Sequence, residues 1–288
     1  MPESTAVADL RSAVESLAAK PELDDLDAAR DVAGRLFKAL ETGEIRAAEP
    51  GPDGWEAVEW VKQGILLAFR AGRTAPFPAG ASPDEPFQFF DRDTLPLRKT
   101  RGAEENVRIV PGGSSVRAGA YLAPNVVIMP PAYVNVGAWV GEGSMVDSHA
   151  LVGSCAQIGE RVHLSAGAQI GGVLEPIGLR PVIVEDDAMI GANTGVFEGV
   201  LVGRRAVLAP GVQLTAATPL FDLVRDEIYR SAPQQPLSVP EGAVVVPGTR
   251  PAKGAFAEEH GLHLYAPVIV KYRDERTDVA TALEDVLR

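Results

Sequence analysis

The sequence predicts a mainly β protein: a left-handed parallel β-helix of hexapeptide repeats, with an α-helical domain before it and a small segment of short strands and a helix after it. Three observations predict this. Aliphatic residues fall at every sixth position from Val110 to Ile170, and again from Val184 to Leu214. A mostly small or β-branched residue sits four positions after each of them, as at Ala120, Ala138 and Ala156. Before Val110 the apolar spacing is instead that of helices. The expected divisions are residues 1–105, 106–219 and 220–288.

The helical part comes first. Leu10, Val14, Leu17 and Ala18 recur at helical spacing, as do Ala29, Val32, Leu36 and Leu40. Pro21 separates the two helices, and Asp24 or Asp25 is placed to cap the second. The stretch 49–54, EPGPDG, reads as a turn. Residues 55–70 read as a third helix with Trp60, Ile65 and Phe69 on its apolar side, and 71–105 as loop and short strands.

Each hexapeptide is a short parallel strand followed by a tight turn, and three repeats close one triangular coil. The aliphatic residue points into the prism and stacks on its copies above and below. The small residue at i+4 also points inward, where the corner leaves little room. Gly and Asn tolerate the turn angles. Leu174 is the one large residue in the i+4 series, and the period slips by two residues between Glu175 and Pro181. Seventeen matched repeats make between five and six coils. An ordinary sandwich would show period two and uneven loops. Beyond Leu220 the period ends: FDLVRDEIYR reads as an excursion, SVPEGAVVVPG and LYAPVIVKY as short strands, and TDVATALEDVLR as a terminal helix.

The formal net charge of −12 argues against a nucleic-acid or membrane-surface binder, because phosphate-rich partners favour basic patches. A local cluster of Arg and Lys still leaves room for an anionic small ligand. With one cysteine, Cys155, no internal disulfide is possible, and a reducing cytoplasmic setting is the expectation. No signal peptide is read at the N-terminus, and no apolar run approaches the roughly 20 residues of a spanning helix. Four histidines are present, and His260 and His263 lie outside the coils. A zinc site needing three converging histidines is therefore not expected, and no metal site is assigned.

The stretch from Met145 to Asn193, with VGSCAQIG, VHLS and IGGVLEP, closely resembles the signature region of the tetrahydrodipicolinate N-succinyltransferase family. Residues 40–70, FFDRDTLPLR, VRIVPGGSSVRAGAYLAPNVVIMP, YVNVGAWV, VPEGAVVVPG and LYAPVIVKY resemble it too, so the likeness covers nearly the whole chain. The resemblance implies transfer of a succinyl group from succinyl-CoA to the amine of tetrahydrodipicolinate in its 2-amino-6-oxopimelate form, on the diaminopimelate route to lysine. It implies a homotrimer with the active site at the subunit interface, small-molecule substrates, and no permanently bound cofactor. An N-acetyltransferase acting on a related amine is the alternative. A non-catalytic trimeric scaffold is the third reading.

Such a reaction needs a neutral amine, hence a base or orienting carboxylate, and cations for the acceptor carboxylates. Asp147 follows the inward Val146, where other repeats carry Gly141, Gly153 or Gly159. The resemblance places the family's catalytic acidic residue there; otherwise it is a turn-capping Asp. Arg108 matches the family's substrate-carboxylate arginine, a task that suits a bidentate guanidinium; otherwise it is a solvated residue of the first coil. Many relatives have an acidic residue in an RSEVVEG-like segment that acts across the interface. Here the segment is ANTGVFEG, with Gly195 at that place and Glu198 later. Either Asp147 works alone, or Glu198 compensates, or the acceptor differs. His149 stands where the family has Trp and is a candidate base or acceptor contact. His163 reads as structural or groove-lining, and Cys155 as packing. For CoA, the small residues Ser165, Ala166, Gly172 and Ala192 would let pantetheine lie against the backbone. Arg205, Lys253 and Lys271 are candidates for the phosphates. The loop from Glu175 to Pro181 is placed to cover a groove.

Overall fold

A computed structural model describes residues 4–52, 54–77, 89–232 and 235–274. Three helices open the chain. Helix α1 spans Thr5–Ala18, and its first turn is closed by Ser4 Oγ, which accepts from Val7 N at 3.2 Å. Helix α2 spans Leu26–Glu41, and Asp25 caps it by accepting from Ala28 N at 2.9 Å. Helix α3 spans Glu59–Ala71. The third helix is shorter than the sequence suggests. Gly54–Ala57 is a strand paired antiparallel with Ala48–Gly51. Pro50, Gly51 and Gly54 lie in the strands themselves, and the hairpin's Trp55 indole donates to Glu185 Oε1 at 3.1 Å across the molecule. Phe69, expected on the apolar side, is 38% exposed; Trp60, Val61, Ile65 and Ala68 form the buried stripe instead.

The helices pack on a prism with three faces of stacked two-residue strands, joined in sheets of six, ten and six strands among the described residues. The first face begins at Arg108–Ile109 and continues through Val127–Ile128, Met145–Val146, His163–Leu164, Met189–Ile190 and Val207–Leu208. The second begins at Ser115–Val116 and the third at Tyr121–Leu122. All these pairings are parallel. Inside, Ile128, Val146, Leu164, Ile190 and Leu208 form one continuous column with the small residues between them. Each such side chain contributes roughly 1.5–3 kcal/mol by leaving water, and no coil buries its face without its neighbours.

Three details differ from the expected repeat. In the first coil Ile109, not Val110, pairs with Ile128, so the period starts at Val116 and the first rung is not enclosed. The slip is an insertion. Met145 pairs with His163, 18 residues on, but His163 pairs with Met189, 26 residues on. The difference, 26 minus 18, is eight residues placed at one corner between the second and third faces. Leu174 therefore leaves the prism and packs on the helical cluster, while Val182 fills the inward small-residue position before Val184. Finally, the left-handed backbone lies at the third residue after most inward aliphatics, as at His149 (φ 62°), Cys155 (φ 65°) and Arg161 (φ 54°). The glycines one residue after the aliphatic serve close approach instead: a Cβ on Gly191 would meet the backbone of Ala209 and Pro210 in the next coil.

The helical cluster covers the corners between the second and third faces, where Ala118, Val136 and Cys155 join its core. The stack continues beyond the last hexapeptide. Ser238–Val239 and Ala243–Val246 add to the third and first faces, and Val268–Tyr272 then pairs antiparallel with Ala243–Val246. FDLVRDEIYR forms an antiparallel hairpin, Leu220–Asp222 with Glu227–Tyr229. At the other end, Leu97 bridges antiparallel to Arg117 over the second face. The expected terminal helix at 277–288 lies outside the described residues.

Candidate functional site

The corner between the first and second faces is lined by small residues. Asp147, Ser165 and Gly191 stack one rung apart, followed by Ser148, Ala166 and Ala192 in the next column. Gly167 N donates to Ser148 O at 2.8 Å and Asn193 N to Ala166 O at 3.0 Å, so the rungs interlock through backbone. The result is a shallow strip against which an extended chain can lie. Asp147 is the one carboxylate among the residues that directly follow the inward aliphatics of this corner. It is half-buried. Its Oδ1 accepts from Ser148 N at 2.6 Å, and its Oδ2 lies 3.9 Å from His163 Nε2. His149 occupies the left-handed apex of the same turn and is exposed; its carbonyl accepts from Gln169 Nε2 at 3.1 Å.

Arg108 opens the first face two rungs before Asp147, about 10 Å away at the usual strand spacing. It borders a cleft of about 550 Å³ that also takes in Asn125, Arg161, Asp187 and Arg273. Arg161 grips Asp187 through two bonds of 2.7 and 3.1 Å and reaches Glu160 at 2.7 Å. That hydrogen bonding holds the Asp187 carboxyl below the usual carboxylate range. Arg273 donates to Asp187 O at 2.9 Å. Arg161 is thus committed within the protein, whereas the exposed Arg108 guanidinium has no ion-pair partner among the described residues.

The other candidates are dispersed. Ser165, Ala166 and Ala192 share the Asp147 corner. Gly172 and Glu198 lie at corners between the second and third faces, and Glu198 Oε2 accepts from Ala216 N at 2.8 Å. Gly195 is buried on the second face, where Gln213 Oε1 and the Phe197 ring occupy the place a Cβ would take. Arg205 is exposed at a corner between the third and first faces, and Lys253 lies between the strands Thr249–Pro251 and His263–Tyr265. Lys271 pairs with Asp274 at 3.4 Å. Cys155 is fully buried, and burial pushes its thiol up to about 12, which fits packing rather than nucleophilic chemistry. Among the described residues no group of three His, Cys, Asp or Glu side chains could hold a metal ion.

Sequence reasoning underrated two features. His163 stands beside Asp147; the signal was available, because residues 18 apart lie on adjacent rungs and His163 is 18 after Met145. The third face carries a cleft of about 310 Å³ where Arg46 lies 3.9 Å over the Trp139 ring, itself stacked on Tyr121. Burial lowers the Arg46 guanidinium to about 10. This sandwich fastens the N-terminal hairpin to the prism, and nothing in the local sequence announces it.

A family profile for the tetrahydrodipicolinate N-succinyltransferase N-terminal region matches residues 8–71, and one for the hexapeptide repeat of succinyl-transferase matches 181–216. A 2,3,4,5-tetrahydropyridine-2,6-dicarboxylate N-succinyltransferase of Gluconobacter oxydans is 45% identical, covering 98% of this chain and 99% of its own. The protein of that name from Bradyrhizobium diazoefficiens is 43% identical over 90% of both chains. A solved structure from Campylobacter jejuni, described as a 2,3,4,5-tetrahydropyridine-2-carboxylate N-succinyltransferase, is 19% identical, with a TM-score of 0.44 over 82% of this chain and 62% of that one.

Proposed function

Because the chain belongs to the tetrahydrodipicolinate N-succinyltransferase family, we propose that Asp147 is the general base of its reaction and that the strip beside it takes the acyl-CoA. The enzyme is an acyltransferase that moves a succinyl group onto the amine of 2,3,4,5-tetrahydropyridine-2,6-dicarboxylate, in the route to diaminopimelate and lysine. The observation that carries the residue assignment is the isolated carboxylate at a corner otherwise lined by small residues, with one oxygen pinned by Ser148 N and the other 3.9 Å from His163 Nε2.

The proposed chemistry follows from those groups. The donor is succinyl-CoA. The acceptor is the ring-opened 2-amino-6-oxopimelate form, which presents a primary amine. Asp147 takes a proton from the ammonium, the neutral amine attacks the thioester carbon, and CoA leaves as thiolate, which takes up the second proton that nitrogen loses as the amide forms. Arg108, solvent-facing on the same face, binds a terminal carboxylate of the acceptor. Pantetheine lies along Ser165, Ala166 and Ala192, with His149 at the rim of the acceptor pocket. Glu198 sits at a different corner of the prism from Asp147. One protomer therefore cannot bring them to one site, and a neighbouring subunit can. That supports a homotrimer with its sites between prisms. We further take the coil to be left-handed, as its hexapeptide period suggests, the enzyme to work in the cytoplasm, and the chain to divide at about residues 105 and 219.

The test is CoA release that depends on both succinyl-CoA and the cyclic dicarboxylate, with acetyl-CoA run alongside. Asp147→Asn should lower kcat by roughly 10²–10⁴-fold with KM for succinyl-CoA little changed. Undiminished turnover in that variant would remove Asp147 from the role.

A further inference from the structure

The proposed base has an ionisable neighbour. His163 stands on the first face in the rung after Met145, with Met189 on its other side. Its side chain is 14% exposed, that of Asp147 30%, and Nε2 to Oδ2 is 3.9 Å. That distance is too long for a hydrogen bond, but a small χ rotation of either side chain closes it. Ser148 N already fixes Oδ1 at 2.6 Å. The carboxylate can therefore still turn about one bond, and the imidazole, on the adjacent rung of the same face, is placed to set that turn. Met145 and Met189, on the rungs either side, bring no charge to the ring, and the ring itself is largely shielded, where a polar contact counts for more.

We propose that His163 is a positioning residue for the transfer: its Nε2 holds Asp147 Oδ2 in the orientation that receives a proton from the acceptor ammonium. This rests on Asp147 being the base. In the step itself the N–H bond of the ammonium breaks and its proton goes to Oδ2. The freed lone pair forms the N–C bond as the C–S bond breaks; the second proton, lost from nitrogen as the amide forms, goes to the departing thiolate, and Asp147 returns its own proton to solvent. His163 touches no substrate atom. It removes the search for the productive carboxylate rotamer, an effect of the kind that costs up to about 10²-fold when a group is misplaced by an ångström.

Four single variants and one double variant test this. Gln places an amide nitrogen near the position of Nε2, whereas Asn is polar but too short to reach Asp147, and Leu has no polar group. The expected result is a kcat loss of about tenfold to a hundredfold for His163→Leu and His163→Asn, an unchanged KM for succinyl-CoA, and recovery to within a few-fold of wild type for His163→Gln. His163→Leu combined with Asp147→Asn should lose no more than Asp147→Asn alone, because the two act as one unit. Equal kcat for the Gln and Asn variants, or a full additional loss in the double variant, overturns the positioning role while leaving Asp147 as base. Wild-type kcat in Asp147→Asn overturns both. If His163→Leu fails to fold, the comparison of Gln with Asn decides the matter.

Discussion

Gly195 shows how one residue constrains the chemistry. The space a side chain would need here holds Gln213 Oε1 and the ring of Phe197, and Gln213 is itself anchored by its Nε2 donating to Asn193 O at 3.0 Å. Gly195→Glu should therefore destabilise by about 1–3 kcal/mol through overpacking and lower the melting temperature by several degrees, without raising turnover. Adding Gln213→Ala should return part of the lost stability, which differential scanning fluorimetry would read. At this scale the sequence was half legible. Asp147 and Arg108 stood out by resemblance, and the inward columns by period. The partners of Asp147 did not. Ser148 N is a backbone group, and His163 becomes a neighbour only when positions are compared at a full coil of 18 residues rather than at six.

Among the elements, the loop at Glu175–Pro181 is the one whose behaviour the fold explains best. It is held from the helical side. Leu174 packs on the helical cluster, and the fully buried Lys62 of α3 donates its ammonium to Leu179 O. Burial lowers the Lys62 pKa. The unfolded chain then holds a proton that the native state releases earlier, so this residue makes stability rise with pH as the ordinary lysine range is approached, and it contributes no slope well below that. Lys62→Met should abolish that alkaline rise in melting temperature. It should also speed amide exchange at Leu174–Pro181 while leaving the prism intact, since an apolar chain of similar volume fills the site. Helices α1 and α2 and the strand columns were legible beforehand because each has a strict period. The hairpin at Ala48–Ala57 was hidden because Trp55 and Ala57 suit a helix as well as a strand. The pairing with Ala48–Gly51 and the tie from Trp55 to Glu185, 130 residues away, favour the strand.

At the scale of the whole molecule, the three corners of the prism have separate occupants. Helices and insertions fill the one between the second and third faces. Charged pairs such as Arg161–Asp187 and Arg204–Asp186 line the one between the third and first faces. The remaining corner carries Asp147, and the faces that meet there present the half-exposed Val127, Met145, Leu151, Met189 and Val207 in a single chain. Light scattering should give three times the chain mass. Val207→Asp, which puts a charge among those apolar residues, should yield monomers with little activity. Such lateral association is set by what faces outward, which a period of inward residues does not encode. The two ends of the prism pose a different hazard. Parallel rungs that end bare would invite another copy to add on and a filament to grow. Here Val268–Tyr272 runs antiparallel to the last rung with a register shift between Val244 and Val245, and Leu97 crosses the first rung of the second face in the opposite sense. The reversal of direction breaks the template, so a ladder that could in principle lengthen without limit is made to stop.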